Sequence, residues 1–284
     1  MLGAATGANS LAGFTAIVTG GSRGLGAGIA RALAAAGAQV GLLARDAVRG
    51  EQVASDIRSQ GGAALYVHAD ISLEDDVASA VRKVSERFGA LHLLVNNAGL
   101  TPSSVGGSGG SAADISLELW NRYLAVNVTG TLLVSRHAVP HMRAAGYGSI
   151  VNINSPFADY PPPGDVGYVT SKAALTGLTK SMAVDFGPSV RVNQVMPGFV
   201  PNAENPRHQA KLADPATRQT MLDTTLVNRI GTPGDIASAC VFLCGRESGF
   251  ITGQSWMIDG GAHTKARSMS GVTKLYERVD GKPG

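Results

Sequence analysis

The sequence predicts an α/β protein: a single domain on a doubly wound parallel sheet, with helices on both faces. Three observations predict it. Short apolar runs rich in β-branched residues alternate along the chain with longer runs of helical apolar spacing, the order that gives a parallel sheet. The short runs are almost continuously apolar, as strands buried on both faces are. The first of them runs straight into a glycine-rich turn and then a helix, the layout of a nucleotide phosphate site.

The elements follow in order. TAIVT (15–19) reads as a strand, and GLGAGIARALAAAG (24–37) as a helix closed by glycine. AQVGLLA (38–44) is a strand, followed by a helix to about Gln60. ALYVHAD (64–70) is a strand and EDDVASAVRKVSERFG (74–89) a helix. LHLLVNN (91–97) is a strand, a helix covers about 117–145, and SIVNIN (149–154) is a buried strand. A helix runs from Tyr168 to about 186, then the strand VRVNQVM (190–196), a helix near 234–244 and a last strand, SWMID (255–259). That makes seven strands, with no internal repeat and no second domain in 284 residues.

Composition narrows the function. The chain is 44% hydrophobic and 16% charged, with 37 glycines, which gives a sizeable core and many tight turns. No apolar run is long enough to cross a membrane, and the N-terminus lacks the basic start and apolar core of a signal peptide. The chain is therefore expected to be cytoplasmic, with a loose arm over residues 1–12. The net charge is +3, and residues 262–284 hold five Lys/Arg against two Asp/Glu, so the body is neutral and no nucleic-acid footprint is expected. Cys240 and Cys244 lie on one helix without further ligands nearby in sequence and read as buried thiols. His137 and His141 lack the glutamate of a zincin pattern, so no metal site is expected.

The turn after the first strand reads Thr19-Gly20-Gly21-Ser22-Arg23-Gly24-Leu25-Gly26. Its glycines let the backbone approach a pyrophosphate, and the following helix offers amides and dipole to the negative charge. Asp70-Ile71 ends the third strand, where an adenine ring would lie, and Asn96-Asn97-Ala98-Gly99 ends the fourth. Ligands of open α/β sheets collect outside those strand ends. The plainer alternatives are that Asp70 caps the next helix and that the asparagines close a turn.

The chemistry is expected between Ile153 and Lys172. Tyr168 and Lys172 stand four apart, so the phenol and ammonium share a helix face. A tyrosine has an ordinary pKa of about 10, and a neighbouring lysine charge is expected to lower it, making a workable acid or base for a carbonyl or alcohol oxygen. Ser155, at the end of the fifth strand, can bond the same oxygen. Such a Tyr–Lys pair is by itself common, and most are surface tyrosines beside solvated lysines.

Taken together, these segments resemble the short-chain dehydrogenase/reductase family in its single-domain form, over about residues 13–262. The resemblance rests on TGGSRGLG, Asp70, NNAG, Asn127, Ser155, YVTSK, Pro197-Gly198, GTPGDIA and ITGQSWMIDGG, in the family's order and at its intervals. It is similar to 3-oxoacyl-[acyl-carrier-protein] reductases, although no strong basic patch for an acidic carrier is seen. The resemblance implies a seven-stranded Rossmann sheet and a nicotinamide dinucleotide held by Gly20, Ser22, Arg23, Gly24, Leu25, Gly26, Arg45, Asp70, Ile71, Asn97, Ala98, Gly99, Pro197, Gly198 and Val200. It also implies a tetrad. Tyr168 would be acid/base, Lys172 would lower its pKa and hold the nicotinamide ribose, Ser155 would bond the substrate oxygen, and Asn127 would hold a relay water. Tyr168 and Lys172 thus count among the cofactor contacts.

Further expectations rest on the same resemblance. The second strand ends at Ala44, where an NAD-preferring member carries an acidic residue, and Arg45 follows it. Arg45, with Arg23, could meet a 2′-phosphate, so NADP(H) is preferred and NAD(H) possible; otherwise Arg45 is a strand-end charge paired with Asp46. The predicted activity interconverts a ketone and a secondary alcohol, with an NAD-dependent alcohol dehydrogenase or a non-catalytic dinucleotide-binding regulator as alternatives. The substrate is a small molecule whose pocket Phe157, Tyr160 and Phe199 line, with residues 201–228 as its lid. A homo-oligomer, tetramer or dimer, is expected through the helices near 117–145 and 168–186. Asn154, Pro156 and Tyr160–Pro163 depart from the family pattern, as does Asn202, which falls near the place of a threonine that often touches the nicotinamide amide. Residues 101–113 look inserted, and residues 263–284 form a longer tail than usual.

Overall fold

A computed structural model describes residues 10–106, 109–202 and 204–265. It contains the seven expected strands: β1 (Thr15–Thr19), β2 (Gln39–Ala44), β3 (Ala63–His68), β4 (Leu93–Asn96), β5 (Gly148–Ile153), β6 (Val190–Pro197) and β7 (Ser255–Ile258). All neighbours pair in parallel, in the order β3-β2-β1-β4-β5-β6-β7. The chain winds outward from β1 to β3, then crosses back to β4. That reversal opens a crevice at the carboxyl ends of β1 and β4, where ligands of such sheets bind.

The helices cover both faces: α1 (Gly24–Ala35), α2 (Ala47–Ser59), α3 (Glu74–Phe88), α4 (Leu117–Leu124), α5 (Gly130–Ala144), α6 (Val166–Phe186), α7 (Pro206–Ala213), α8 (Pro215–Thr224) and α9 (Pro233–Cys244). Successive strand residues feed two separate cores. Val18, Leu42, Leu93, Val95 and Val151 pack with Ile29, Leu33 and Ile236, while Ile17, Leu43, Leu94 and Ile150 pack with Val84, Val134 and Met182. Side chains alternate across a strand, so burial on both faces favours the near-continuous apolar runs seen in the sequence.

Two expectations need correction. The packed body starts before residue 13: Leu11 is fully buried and its amide donates to Ala36 O. The arm expected over 1–12 therefore ends at residue 9 at the latest, and residues 1–9 lie outside the described residues, as do 266–284 of the expected tail. The helix expected over 117–145 is three pieces, with a π-helical turn at Ala125–Thr129 between α4 and α5. The extra residue in that turn shifts the helix register, and Asn127 is buried within it. Ser85 bonds His141, and Glu74 bonds His137, so both histidines face α3. No helix among the described residues is long and apolar enough to cross a membrane.

Candidate active site

The glycine turn after β1 is locked against the end of β4. Thr19 Oγ1 accepts from the amides of Asn97 and Ala98, both at 3.0 Å, and Asn97 Nδ2 donates to Thr19 O at 2.9 Å. Gly20 has φ of +64°, and a Cβ there would stand 2.9 Å from Ala98 Cα. A Cβ on Gly26 would stand 2.3 Å from Gly20 O and 2.4 Å from Asn97 Nδ2. Both positions thus need glycine, one for its backbone angle and one for space. The asparagines do close a turn, and that turn holds the glycine loop. Arg23, at the N-cap of α1, makes no side-chain cap bond, so the first amides of the helix face the crevice for an anion to meet. A turn that admits no Cβ at Gly20 or Gly26 and ends on an uncapped helix fits a dinucleotide pyrophosphate.

The crevice has a volume of about 730 Å³, and every residue expected from the glycine turn, the end of β2, the end of β3 and the end of β4 lines it. Pro197, Gly198 and Val200 do not. Gly198 and Val200 instead line a second cavity of about 350 Å³ beneath α8. Asp70 does not cap α3, whose N-cap is Leu73; its carboxylate accepts from Ser72 N and Oγ. Arg45 reaches Asp70 at 3.5 Å with its side chain 69% exposed. Its partner is therefore not Asp46, which caps α2 through Arg49 N. Sequence reasoning missed Arg49, which lines the same crevice 3.6 Å from Glu204 and 3.7 Å from Asp46. Its position four residues after Arg45, on the first turn of α2, was the available signal.

Tyr168 and Lys172 both lie on the buried face of α6, 8% and 6% exposed. Phe157 meets the Tyr168 ring edge-on at 6.3 Å, and Tyr123 lies 6.2 Å away on α4. Ser155 lies two residues past the end of β5, where its Oγ accepts from Phe157 N at 3.2 Å and its side chain acts on the Tyr168 phenol. Lys172 Nζ donates to Ile153 O at 2.9 Å. The expected lowering of Tyr168 is not found. Burial pushes its phenol above the ordinary value, the Ser155 bond opposes this, and the Asp165 carboxylate adds to it. Burial also brings the Lys172 ammonium down to about 8. Desolvation dominates both shifts because both groups are buried on the same helix face.

Asn127 brings the π turn into contact with the site. Its Oδ1 accepts from Leu100 N at 2.7 Å, and its Nδ2 donates to Leu100 O and Ser171 Oγ. Its side chain is thereby committed, and a Cβ on Gly99 would stand 3.1 Å from it. Asn154 does not face the substrate side. It donates to Thr176 and Gln194 in a buried polar network that also joins Asn152, Thr179 and Asn96 beneath the site. The 101–113 segment is anchored at both ends of its path: Gly109 N donates to Asp165 Oδ1 at the start of α6, and Arg207 of α7 donates to Gly106 O. Asn202 rests on the glycine turn, where a Cβ on Gly24 would stand 3.0 Å from its Nδ2.

The family model for enoyl-(acyl carrier protein) reductases matches residues 20–263. A 2-(R)-hydroxypropyl-CoM dehydrogenase of Xanthobacter autotrophicus is 38% identical over 247 residues, 86% of this chain and 96% of that one. A cyclopentanol dehydrogenase of a Comamonas species is 35% identical over 246 residues, 86% of this chain and 95% of that one. The solved short-chain dehydrogenase/reductase of Serratia marcescens superposes with a TM-score of 0.79 at 38% identity, over 89% of this chain and 99% of that one. The chain belongs to the short-chain dehydrogenase/reductase family, and with it to the NAD(P)-dependent oxidoreductases of CH–OH and C=O groups.

Proposed function

We propose that the protein reduces a small ketone to a secondary alcohol with NADPH, and runs the reverse reaction with NADP⁺. The observation that carries this reading is Tyr168: a buried phenol whose pKa burial raises, beside Ser155 and on the same helix face as the buried Lys172. A raised pKa keeps the phenol protonated through neutral pH, so it stands ready to donate to a carbonyl oxygen. Ser155 holds that oxygen. Lys172 anchors to Ile153 O and presents its remaining donors toward the ribose and Tyr168. Gly20, Ser22, Arg23, Gly24, Leu25 and Gly26 would hold the pyrophosphate, Arg45, Asp70 and Ile71 the adenosine, and Asn97, Ala98 and Gly99 the nicotinamide half, while Pro197, Gly198 and Val200, which lie outside this crevice, would meet the nicotinamide only at its far end. Bound there, the cofactor supplies or accepts a hydride and, when oxidised, brings a positive charge beside the phenol. The Asn127 side chain is committed to Leu100 and Ser171 and its backbone carbonyl accepts from Thr131 Oγ1, so a relay water would take that carbonyl's second lone pair.

NADP(H) is favoured because Ala44 ends β2 without a carboxylate while Arg23, Arg45 and Arg49 line the same crevice. The Arg45–Asp70 contact is long and exposed, and such pairs contribute little, so Arg45 is available to a phosphate. The names of the relatives, cyclopentanol dehydrogenase among them, support a small cyclic or short-chain substrate. The pair α7–α8 is its cover. Leu117, Leu132 and Val184 are exposed on α4, α5 and α6, and Phe250 is fully exposed close to the edge strand β7, which supports a homo-oligomer, tetramer or dimer. Light scattering of the purified chain is expected to give a tetramer or dimer mass; a monomer mass would overturn this. The activity itself is tested by NADPH consumption across cyclic, aromatic and short-chain ketones, and absence of turnover on every class would contradict it.

A further inference from the structure

Beyond the tetrad, the end of β7 carries a second built arrangement of polar groups. Asp259 Oδ2 accepts from His263 Nδ1 at 2.8 Å and from His263 N at 2.9 Å, while Oδ1 accepts from Gly261 N at 2.9 Å. The Asp259 side chain is only 6% exposed, and that of His263 is 24% exposed. Burial works against the Asp259 charge, but the bonds from His263 and Gly261 hold its carboxyl below the ordinary range. A carboxylate only accepts, so His263 Nδ1 carries the proton, and in the neutral imidazole Nε2 is an acceptor. Among the described residues Nε2 has no partner.

The imidazole is held between the loop that follows Ser155 and the end of β7. Tyr160 packs against it with ring centroids 4.6 Å apart, and Tyr160 belongs to the loop between Ser155 and Tyr168. Asp259 lies against Gly198, where a Cβ would stand 2.7 Å from Asp259 Cα, and Gly198 N donates to Ile258 O. One side is therefore the loop that carries the acid/base machinery, and the other lies against the strand end assigned to the nicotinamide.

We propose that His263 Nε2 accepts a hydrogen bond from a second hydroxyl on the substrate, so that the preferred ketone is a hydroxy ketone and the preferred alcohol a diol. This rests on the ketone–alcohol reading above. Asp259 is a positioning residue: it fixes the tautomer and orientation of the ring, and its own lone pairs are spent on Gly261 and His263. With Nδ1 donating to Asp259, an acceptor at Nε2 favours a hydroxyl and gives no advantage to an ether or a halogen, which cannot donate.

The test compares kcat/KM for cyclohexanone, its ring-hydroxylated isomers and their methyl ethers, in wild type, His263→Phe and His263→Gln. Wild type is expected to favour one hydroxylated isomer over cyclohexanone by about five-fold or more, the range of one hydrogen bond, with no gain for its methyl ether. In His263→Phe that ratio falls to about one, through KM more than kcat; His263→Gln, whose amide oxygen also accepts, keeps part of it. A ratio is unaffected by loss of folded enzyme, which lowers both rates alike. The proposal is overturned if wild type reduces cyclohexanone without preferring any hydroxylated isomer, or if His263→Phe keeps the preference. If wild type reduces none of these ketones while consuming NADPH with another class, this site falls and the ketone reading stands; if it reduces no ketone at all, the broader reading fails first.

Discussion

Replacing Tyr168 by phenylalanine should abolish ketone reduction and leave the cofactor bound. The substitution removes one oxygen from a buried ring and keeps the contacts with Phe157 and Tyr123. What it deletes is the proton donor, and a positioned general acid contributes roughly 10²–10⁴-fold to rate. We expect kcat to fall by at least about that factor, while quenching of protein fluorescence by NADPH gives an unchanged Kd. Lys172→Ala should damage both quantities, since Lys172 joins Ile153 to the proposed ribose site. The pH profile follows from the direction of the Tyr168 shift. The phenol is protonated below its raised pKa, so reduction should hold through neutral pH and decline only as pH rises through that value. Near-normal turnover in Tyr168→Phe would remove the acid/base assignment.

The second large effect is on cofactor choice. Wild type should prefer NADPH over NADH in kcat/KM by about ten-fold or more, since a charge-assisted hydrogen bond contributes about 1.5–3 kcal/mol. Ala44→Asp combined with Arg45→Ile should reverse the preference. Ala44 lines the crevice, so an aspartate there would bond the ribose hydroxyls and repel a 2′-phosphate. The reversal should be incomplete, because Arg49 stays in the same crevice. Removing Arg49 as well should complete it. A wild-type preference for NADH would leave Arg23, Arg45 and Arg49 without this role.

Much of this architecture is legible in the amino-acid sequence, for physical reasons. Strands buried on both faces favour near-continuous apolar runs, and β1, β2 and β4 are read from that pattern, β1 to the residue, whereas β6 holds its buried Arg191, Asn193 and Gln194 by hydrogen bonds that the sequence does not show. Tyr168 and Lys172 could be placed together because helical spacing guarantees a shared face. The features that escaped are tertiary. LELWNRYLAVNVTGTLLV reads as one helix, and nothing local marks the π turn at Asn127. Leu11 sits in a stretch of small residues with no strand or helix pattern, and nothing local shows that its amide finds Ala36 O. The two proline-initiated helices α7 and α8 blur into one charged segment. The direction of the Tyr168 shift was misread because spacing reports a neighbouring charge but not the dryness of the pocket. Asp259 and His263 are four apart, yet their meaning depends on Tyr160, about a hundred residues earlier in the chain.

The central claim is that this chain moves a hydride from a nicotinamide to a carbonyl carbon while Tyr168 supplies the proton. Its most direct test uses NADPH deuterated at C4 and the best ketone from the consumption screen, with the product alcohol analysed by mass spectrometry. The account predicts one deuterium on the carbinol carbon in wild type, and no labelled alcohol above background from Tyr168→Phe despite bound cofactor. Alcohol formed without deuterium from either C4 face, or equal labelling by wild type and Tyr168→Phe, would contradict it.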